Sequence, residues 1–321
     1  MRPPEFWRHR GFLSGVLLPV SWIYEAVGTL RRRRISPWKA PVPVLCIGNL
    51  TTGGTGKTPV AIALAEMLKE RGRSPHFLSR GYGGSVTGPA RVDPERHTAK
   101  EVGDEPLLLS RTAPVWIGGN RAATAKLACD TGADCLVMDD GFQNPGLAKD
   151  YSVIVIDGPY GLGNGRVLPA GPLRESLRAG TARAQAVILI GEDEHSISAK
   201  LDLPVIRADI APLDIRDLAG KKFAAFAGIG RPGKFFESLR AMNCNLISER
   251  AFPDHHEFSA REIREILALA DKENATAITT EKDLERIPTE FRVKIDVLRV
   301  GIRWRDAAAP GALLEGLLAD G

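Results

Sequence analysis

The sequence predicts an α/β protein: a mostly parallel sheet flanked by helices, followed by a second, smaller α/β domain and preceded by an N-terminal hydrophobic helix. Three observations carry this reading. Short, wholly apolar runs alternate with helical segments, as strands buried on both faces do. A glycine-rich loop joins the first such run to the first helix, and the alternation restarts near Leu203. With 321 residues, 44% apolar and 26% charged, the chain can bury two cores, which excludes a small stapled scaffold and a disordered polymer.

Residues 1–40 form an N-terminal membrane-associating helix and basic segment. They hold eight Lys/Arg against two Glu, leaving 35 basic against 37 acidic residues in the rest of a chain whose net charge is +4. The basic character is therefore an arm and not a nucleic-acid surface, so no nucleic-acid partner is expected. Residues 11–30 are mostly apolar, between Arg8/Arg10 and the run Arg31–Arg34. No small-residue cleavage site follows them, against a secretory signal. Pro19, Glu25, Ser14 and Ser21 weaken a membrane span, and charge on both flanks gives it no orientation. Phe12, Val16, Val20, Ile23, Val27 and Leu30 recur at helical spacing, while Trp7, Trp22, Tyr24 and Trp38 can sit at an interface. A helix lying on a bilayer fits best, with the four arginines meeting anionic head groups at about 1 kcal/mol each. The plainer alternative packs this helix on the protein's own core.

The core follows over 41–204. Val44–Ile47 reads as a buried strand and Pro59–Arg71 as a helix presenting Ala61, Leu64, Ala65 and Leu68 before Gly72 stops it. Further strands are predicted at His76–Ser79, Val115–Ile117, Cys135–Met138, Val153–Ile156 and Ala186–Ile190. The smaller C-terminal domain, 205–321, has strands at Phe223–Ala227, Ala277–Thr279 and Val297–Val300. Its helices are Lys234–Met242 and Ser259–Asp271, the latter opened by a Ser259/Glu262 capping box, and a terminal helix, Ala312–Leu318, free to pack back on the core. Cys46, Cys129, Cys135 and Cys244 make no Cys-x-x-Cys pair, so neither zinc nor a disulfide framework is implied and a reducing compartment is.

The loop reads GNLTTGGTGKT over 48–58. Thr51, Thr52, Gly53, Gly54, Thr55 and Gly56 can wrap nucleotide phosphates with backbone N–H groups at a helix N-terminus. Lys57 reaches the β/γ-phosphates and Thr58 holds Mg²⁺. Thr51 stands where the strict pattern has glycine. The apolar run Leu136–Met138 ends in Asp139 and Asp140, paired acids that repel without a cation and so serve as Mg²⁺ ligands. ATP or GTP with Mg²⁺ is therefore expected; the acceptor is not indicated by these motifs.

Nine blocks in order identify the rest: GNLTTGGTGKTP (48–59), SRGYGG (79–84), GDEP (103–106), GGNR (118–121), MDDGFQN (138–144), LPAGPLRE (168–175), AGIGRPGKFF (227–236), FPDHH (252–256) and TTEKD (279–283). Over nearly its whole length the chain resembles the tetraacyldisaccharide 4'-kinase family of the lipid A pathway in Gram-negative bacteria. The resemblance implies a P-loop kinase core in which ATP phosphorylates the 4'-hydroxyl of an acylated glucosamine disaccharide 1-phosphate. It implies work at the cytoplasmic face of the inner membrane, with the N-terminal helix engaging its lipids.

Carried onto this sequence, the resemblance makes Asp104 the general base and His255 its partner, with Arg121 catalytic and Tyr82, Arg174 and Glu175 lining the substrate or phosphate site. Read without it, Asp104 is equally a helix N-cap ahead of Pro106. His256 competes with His255, which is favoured because it follows Asp254 directly. Family members often have His where this chain has Asn144, which can hydrogen bond but cannot shuttle a proton. TTEKD has no derivable task. The rival function is a membrane-associated P-loop ATPase switch, disfavoured because such loops carry a second lysine where this chain has Thr52. A cytosolic small-molecule kinase or ligase would leave the basic, apolar arm without a purpose.

Overall fold

A computed structural model describes residues 4–213 and 218–319. The larger sheet has nine strands: β1 Val44–Gly48, β2 Pro75–Ser79, β3 Ala90–Arg91, β4 Val115–Ile117, β5 Cys135–Asp139, β6 Tyr151–Asp157, β7 Ala186–Ile190, β8 Val205–Pro212 and, from the far end of the chain, β13 Val300–Trp304. Their order is β13-β8-β7-β6-β1-β5-β2-β4-β3, parallel except where β3 and β13 close the edges antiparallel. β1, β2, β5 and β7 are buried at every residue, which is why apolar side chains dominate them. The Lys57–Glu70 helix buries Val60, Ala61, Leu64, Ala65 and Leu68 on one face of this sheet. Leu313, Leu314 and Leu317 of the terminal helix Ala309–Ala319 join the same cluster.

The smaller sheet is wholly parallel: β9 Lys222–Ala227, β10 Asn245–Ala251, β11 Thr276–Thr280 and β12 Ile295–Leu298, in the order β10-β9-β11-β12. Helices Pro232–Ala241 and Ala260–Lys272 cover it. Ser259 accepts the Glu262 N–H at 3.2 Å while Glu262 accepts the Ser259 N–H at 2.8 Å, a reciprocal cap of about 1 kcal/mol.

The division at 204/205 does not coincide with the sheets. β8 and β13 belong to the larger sheet and pair with each other, so the smaller sheet is an insertion between them. The single predicted strand Val297–Val300 is the end of β12 and the start of β13, separated only by Arg299. Apolar content continuous across Arg299 hides the crossing, because pattern alone cannot show that the chain changes sheets.

The arm forms helices Phe12–Val16 and Leu18–Arg34, with a sidedness opposite to that of an ordinary surface helix. Its serines face the protein. Ser21 donates to Val167 O at 2.8 Å and accepts the Ala170 N–H at 3.1 Å; Ser14 accepts from Arg166 at 2.9 Å. Phe12, Leu13, Val16, Val20, Trp22, Ile23, Val27 and Leu30 are exposed. Among the described residues no helix is long and apolar enough to cross a membrane.

Candidate active site

The phosphate loop leaves β1 at the centre of the sheet. Gly56, at φ 88°, occupies the left-handed region that turns the loop into the Lys57–Glu70 helix. The loop's first half is laced to the LPAGPLRE segment: Thr52 N–H donates to Pro172 O at 2.9 Å and Arg174 N–H to Leu50 O at 2.7 Å. Thr51 is buried there in a bridge to Leu173, so backbone pairing occupies the place of the missing glycine. Gly53 and Gly54 lie exposed at the loop's tip, and the buried hydroxyls of Thr52 and Thr55 have no partner among the described residues.

Thr58 donates to Asp139 Oδ2 at 3.0 Å, while Asp139 Oδ1 is buried and unpartnered among the described residues. Burial, then Glu105, pushes the Asp139 carboxyl up to about 7; Asp140 adds to the rise, against Lys57 and the Thr58 hydroxyl. A hydroxyl beside an orphaned carboxylate oxygen fits Mg²⁺, which takes one or two protein oxygens and completes its shell with phosphate and water. Among the described residues no group of three or more His, Cys, Asp or Glu could hold a metal on its own.

Asp140 is engaged by protein cations. It adopts φ 53°, and Arg174 grips it at 2.9 and 3.3 Å while Lys57 lies 3.7 Å away. Burial favours the neutral acid, but Lys57 and Arg174 outweigh it and keep the carboxyl below its ordinary range. Repulsion between the adjacent acids is thus partly met by protein cations, so it does not by itself call for a second metal ligand.

Glu175 departs from expectation. It is 1% exposed and enclosed by Arg183, by Gln143 at 3.1 Å and by Arg32 at 3.7 Å, with no face open to a substrate. One of the four arginines of the basic run is accordingly turned inward. Arg121 opens the Arg121–Asp130 helix, 4% exposed, donating to Gly118 O; its Nε has no partner among the described residues. Burial, then the nearby Arg80, lowers it to about 10.

Asp104 opens a short helix after Gly103, whose φ of 89° brings it so close to Tyr82 O that a Cβ would lie 2.7 Å away. The Asp104 carboxylate is 4% exposed, with Oδ2 3.2 Å from His255 Nδ1, 3.1 Å from Arg286 Nε and 3.9 Å from Lys282 Nζ. Burial would raise it, but the His255 hydrogen bond and the charges of Lys282 and Arg286 hold it below the usual carboxylate range. The adjacent histidines have separate tasks: His256 stacks on Phe252 and meets Glu262 at 3.1 Å, leaving His255 to face Asp104. Tyr82 is exposed, its ring centroid 6.0 Å from that of His255. Asn144 accepts the Gly146 N–H at 2.9 Å within its own turn.

One cleft between the two sheets is lined by Lys57, Thr58, Asp104, Asp139, Arg174 and His255, and continues to Val20, Ile23 and Val27 of the arm. Sequence reasoning missed Lys282 and Arg286, which reach Asp104 from the TTEKD end of β11. It also missed Asp157, which binds Arg231 at 2.7 Å and Lys234 at 3.0 Å across the sheets. The conspicuous TTEKD acids and lysine were a signal, but one without a partner until the fold supplied it.

Comparison with known proteins agrees with this arrangement. Residues 13–319 match the family described as tetraacyldisaccharide-1-P 4'-kinase. Proteins named tetraacyldisaccharide 4'-kinase include one from Rhodospirillum centenum, 49% identical with 99% of this chain and 97% of the relative covered. Another, from Gluconacetobacter diazotrophicus, is 51% identical with 98% of each covered. The crystal structure of an "apo" form of LpxK from Aquifex aeolicus in complex with ATP superposes with a TM-score of 0.79 at 26% identity, over 96% of this chain and all of that one. The chain belongs to the tetraacyldisaccharide 4'-kinase family.

Proposed function

We propose that this protein transfers the γ-phosphate of ATP to the 4'-hydroxyl of an acylated glucosamine disaccharide 1-phosphate, using Mg²⁺, at the cytoplasmic face of the bacterial inner membrane. The observation that carries this reading is the Asp104–His255 pair, a buried carboxylate met by a more exposed imidazole, lining the same cleft as the phosphate loop. An ionised carboxylate there can take the hydroxyl proton as the new O–P bond forms and the bond to the ADP oxygen breaks, with His255 orienting Asp104 and sharing the proton. Lys57 serves the β/γ-phosphates, and Arg121, buried with an unused donor, serves the charge on the transferring group. Thr58 and Asp139 would hold Mg²⁺, which neutralises phosphate charge. Asp140 works through Lys57 and Arg174.

The exposed apolar face of the arm supports peripheral seating on the bilayer, with the cleft opening alongside so that a lipid headgroup enters without leaving the membrane. The test is transfer of labelled γ-phosphate from ATP with Mg²⁺ to the acylated disaccharide 1-phosphate in detergent micelles. Labelled lipid is expected. ADP release without labelled lipid contradicts the acceptor assignment.

A further inference from the structure

TTEKD closes β11. Thr280 donates to Asp283 Oδ2 at 2.7 Å and accepts the Asp283 N–H at 3.1 Å, capping the short helix Glu281–Leu284. The capped turn aims two cations at the cleft: Lys282 donates to Glu105 at 3.0 Å, and Arg286, 5% exposed, enters the space between the sheets.

Each part of the Arg286 guanidinium has its own contact. Nε lies 3.1 Å from Asp104 Oδ2, an ion pair outside hydrogen-bond alignment. Nη2 donates to Asp283 Oδ1 at 2.8 Å, and Nη1 to Gly228 O and His256 O, each at 3.1 Å. Gly228 O also accepts the His255 N–H at 3.0 Å. His255 itself stands at φ 58°, a conformation a non-glycine residue keeps only where its surroundings fix it. One planar fork thus grips the carboxylate from one domain and the backbone around the histidine from the other, a task a point-charge lysine does not reproduce.

We propose that Arg286 is a positioning residue for phosphoryl transfer: anchored by Asp283, it holds the Gly228 and His256 carbonyls so that His255 meets the Asp104 carboxylate. This rests on the kinase reading above. The charged groups facing Asp104 are His255, Lys282, Arg286 and the neighbouring Glu105, whose charge Lys282 engages. Arg286 therefore also favours the ionised form of Asp104, the form that accepts a proton.

The experiment measures kcat, KM for ATP and the pH profile of kcat for full-length wild type, Arg286→Gln and Arg286→Lys. Arg286→Gln is expected to lower kcat about 30-fold with KM for ATP within about twofold, and to move the acid limb to higher pH. Arg286→Lys is expected to return the acid limb toward wild type while kcat stays about 10-fold low, because charge returns and the fork does not. A purely architectural role would scale both variants equally at every pH, and that result overturns the proposal, as does wild-type kcat in either. Should Arg286→Gln not fold, Arg286→Lys decides alone: wild-type kcat overturns, and a loss confined to kcat supports. Wild type unable to label the lipid would instead defeat the kinase reading.

Discussion

Glu25, the one acid within the apolar stretch of the arm, accepts the backbone N–H of Ser176 at 3.0 Å, directly after the Arg174–Glu175 pair. Arg32 approaches Glu175 at 3.7 Å from the same helix. The arm therefore holds the segment from which Arg174 reaches Asp140. Glu25→Ala should remove one partly buried hydrogen bond, about 1 kcal/mol, and lower the thermal midpoint by about 2 °C. Glu25→Gln, which keeps a carbonyl acceptor, should recover most of it. Equal midpoints for Glu25→Ala and wild type in a melting experiment would show that this contact does not dock the arm.

The outward face of the arm makes a different prediction. Trp22 and Ile23 are each 65% exposed, and about half or more of their apolar surface is free to enter a lipid interface. Replacing both by serine should weaken co-sedimentation with anionic vesicles at least about tenfold while leaving the melting temperature within about 1 °C, because neither residue supports the core. Unchanged vesicle binding would return the arm to a helix that merely packs on its own protein.

Asp139 and Asp104 respond to pH with opposite sign. The Asp139 carboxyl is raised by burial to about 7, so it stabilises the metal-free fold at low pH and loses that contribution as pH rises through about 7. Asp139→Asn, which cannot ionise, should therefore melt above wild type at pH 8 without Mg²⁺, with the gap closing toward pH 5. Mg²⁺ should raise wild type and not the variant. Asp104, depressed by its hydrogen bond and cations against the pull of burial, contributes stability above its unfolded pKa and loses it as pH falls through the lower folded value. A metal-free pH series of melting curves in which Asp139→Asn tracks wild type would sink the first of these assignments.

Much of this was legible in the sequence, for definite physical reasons. The loop between β1 and its helix, the acids at the end of β5 and the Ser259 cap are local: each depends on neighbours within a few residues, which spacing reports. What spacing does not report is which charge meets which. The charge of Asp140 looked uncompensated because Arg174, 34 positions away, could not be seen to meet it. Glu175 looked available because Arg183 and Arg32 could not be seen enclosing it. Arg286 carries no motif, and its contacts to Asp104 and to the His255 loop arise only from the insertion between β8 and β13.

Lys57→Ala isolates the nucleotide half of the site. It removes the cation 3.7 Å from Asp140 and the group assigned to the β/γ-phosphates, so ATP affinity and transfer should both fall, transfer by about 10³-fold. Isothermal titration with ATP beside the transfer assay checks both. Normal transfer in this variant contradicts the nucleotide assignment.

The buried Asp104 carboxylate, 3.2 Å from His255, is the base proposed to take the proton from the acceptor hydroxyl. The most direct measurement of that role is the rate of lipid phosphorylation by Asp104→Asn beside wild type, with ATP affinity determined on the same samples. A rate about 10³-fold lower is expected, with ATP affinity within about twofold, because Asn keeps the shape and cannot accept the proton. A wild-type rate in Asp104→Asn would contradict it and return Asp104 to the plain role of a helix cap.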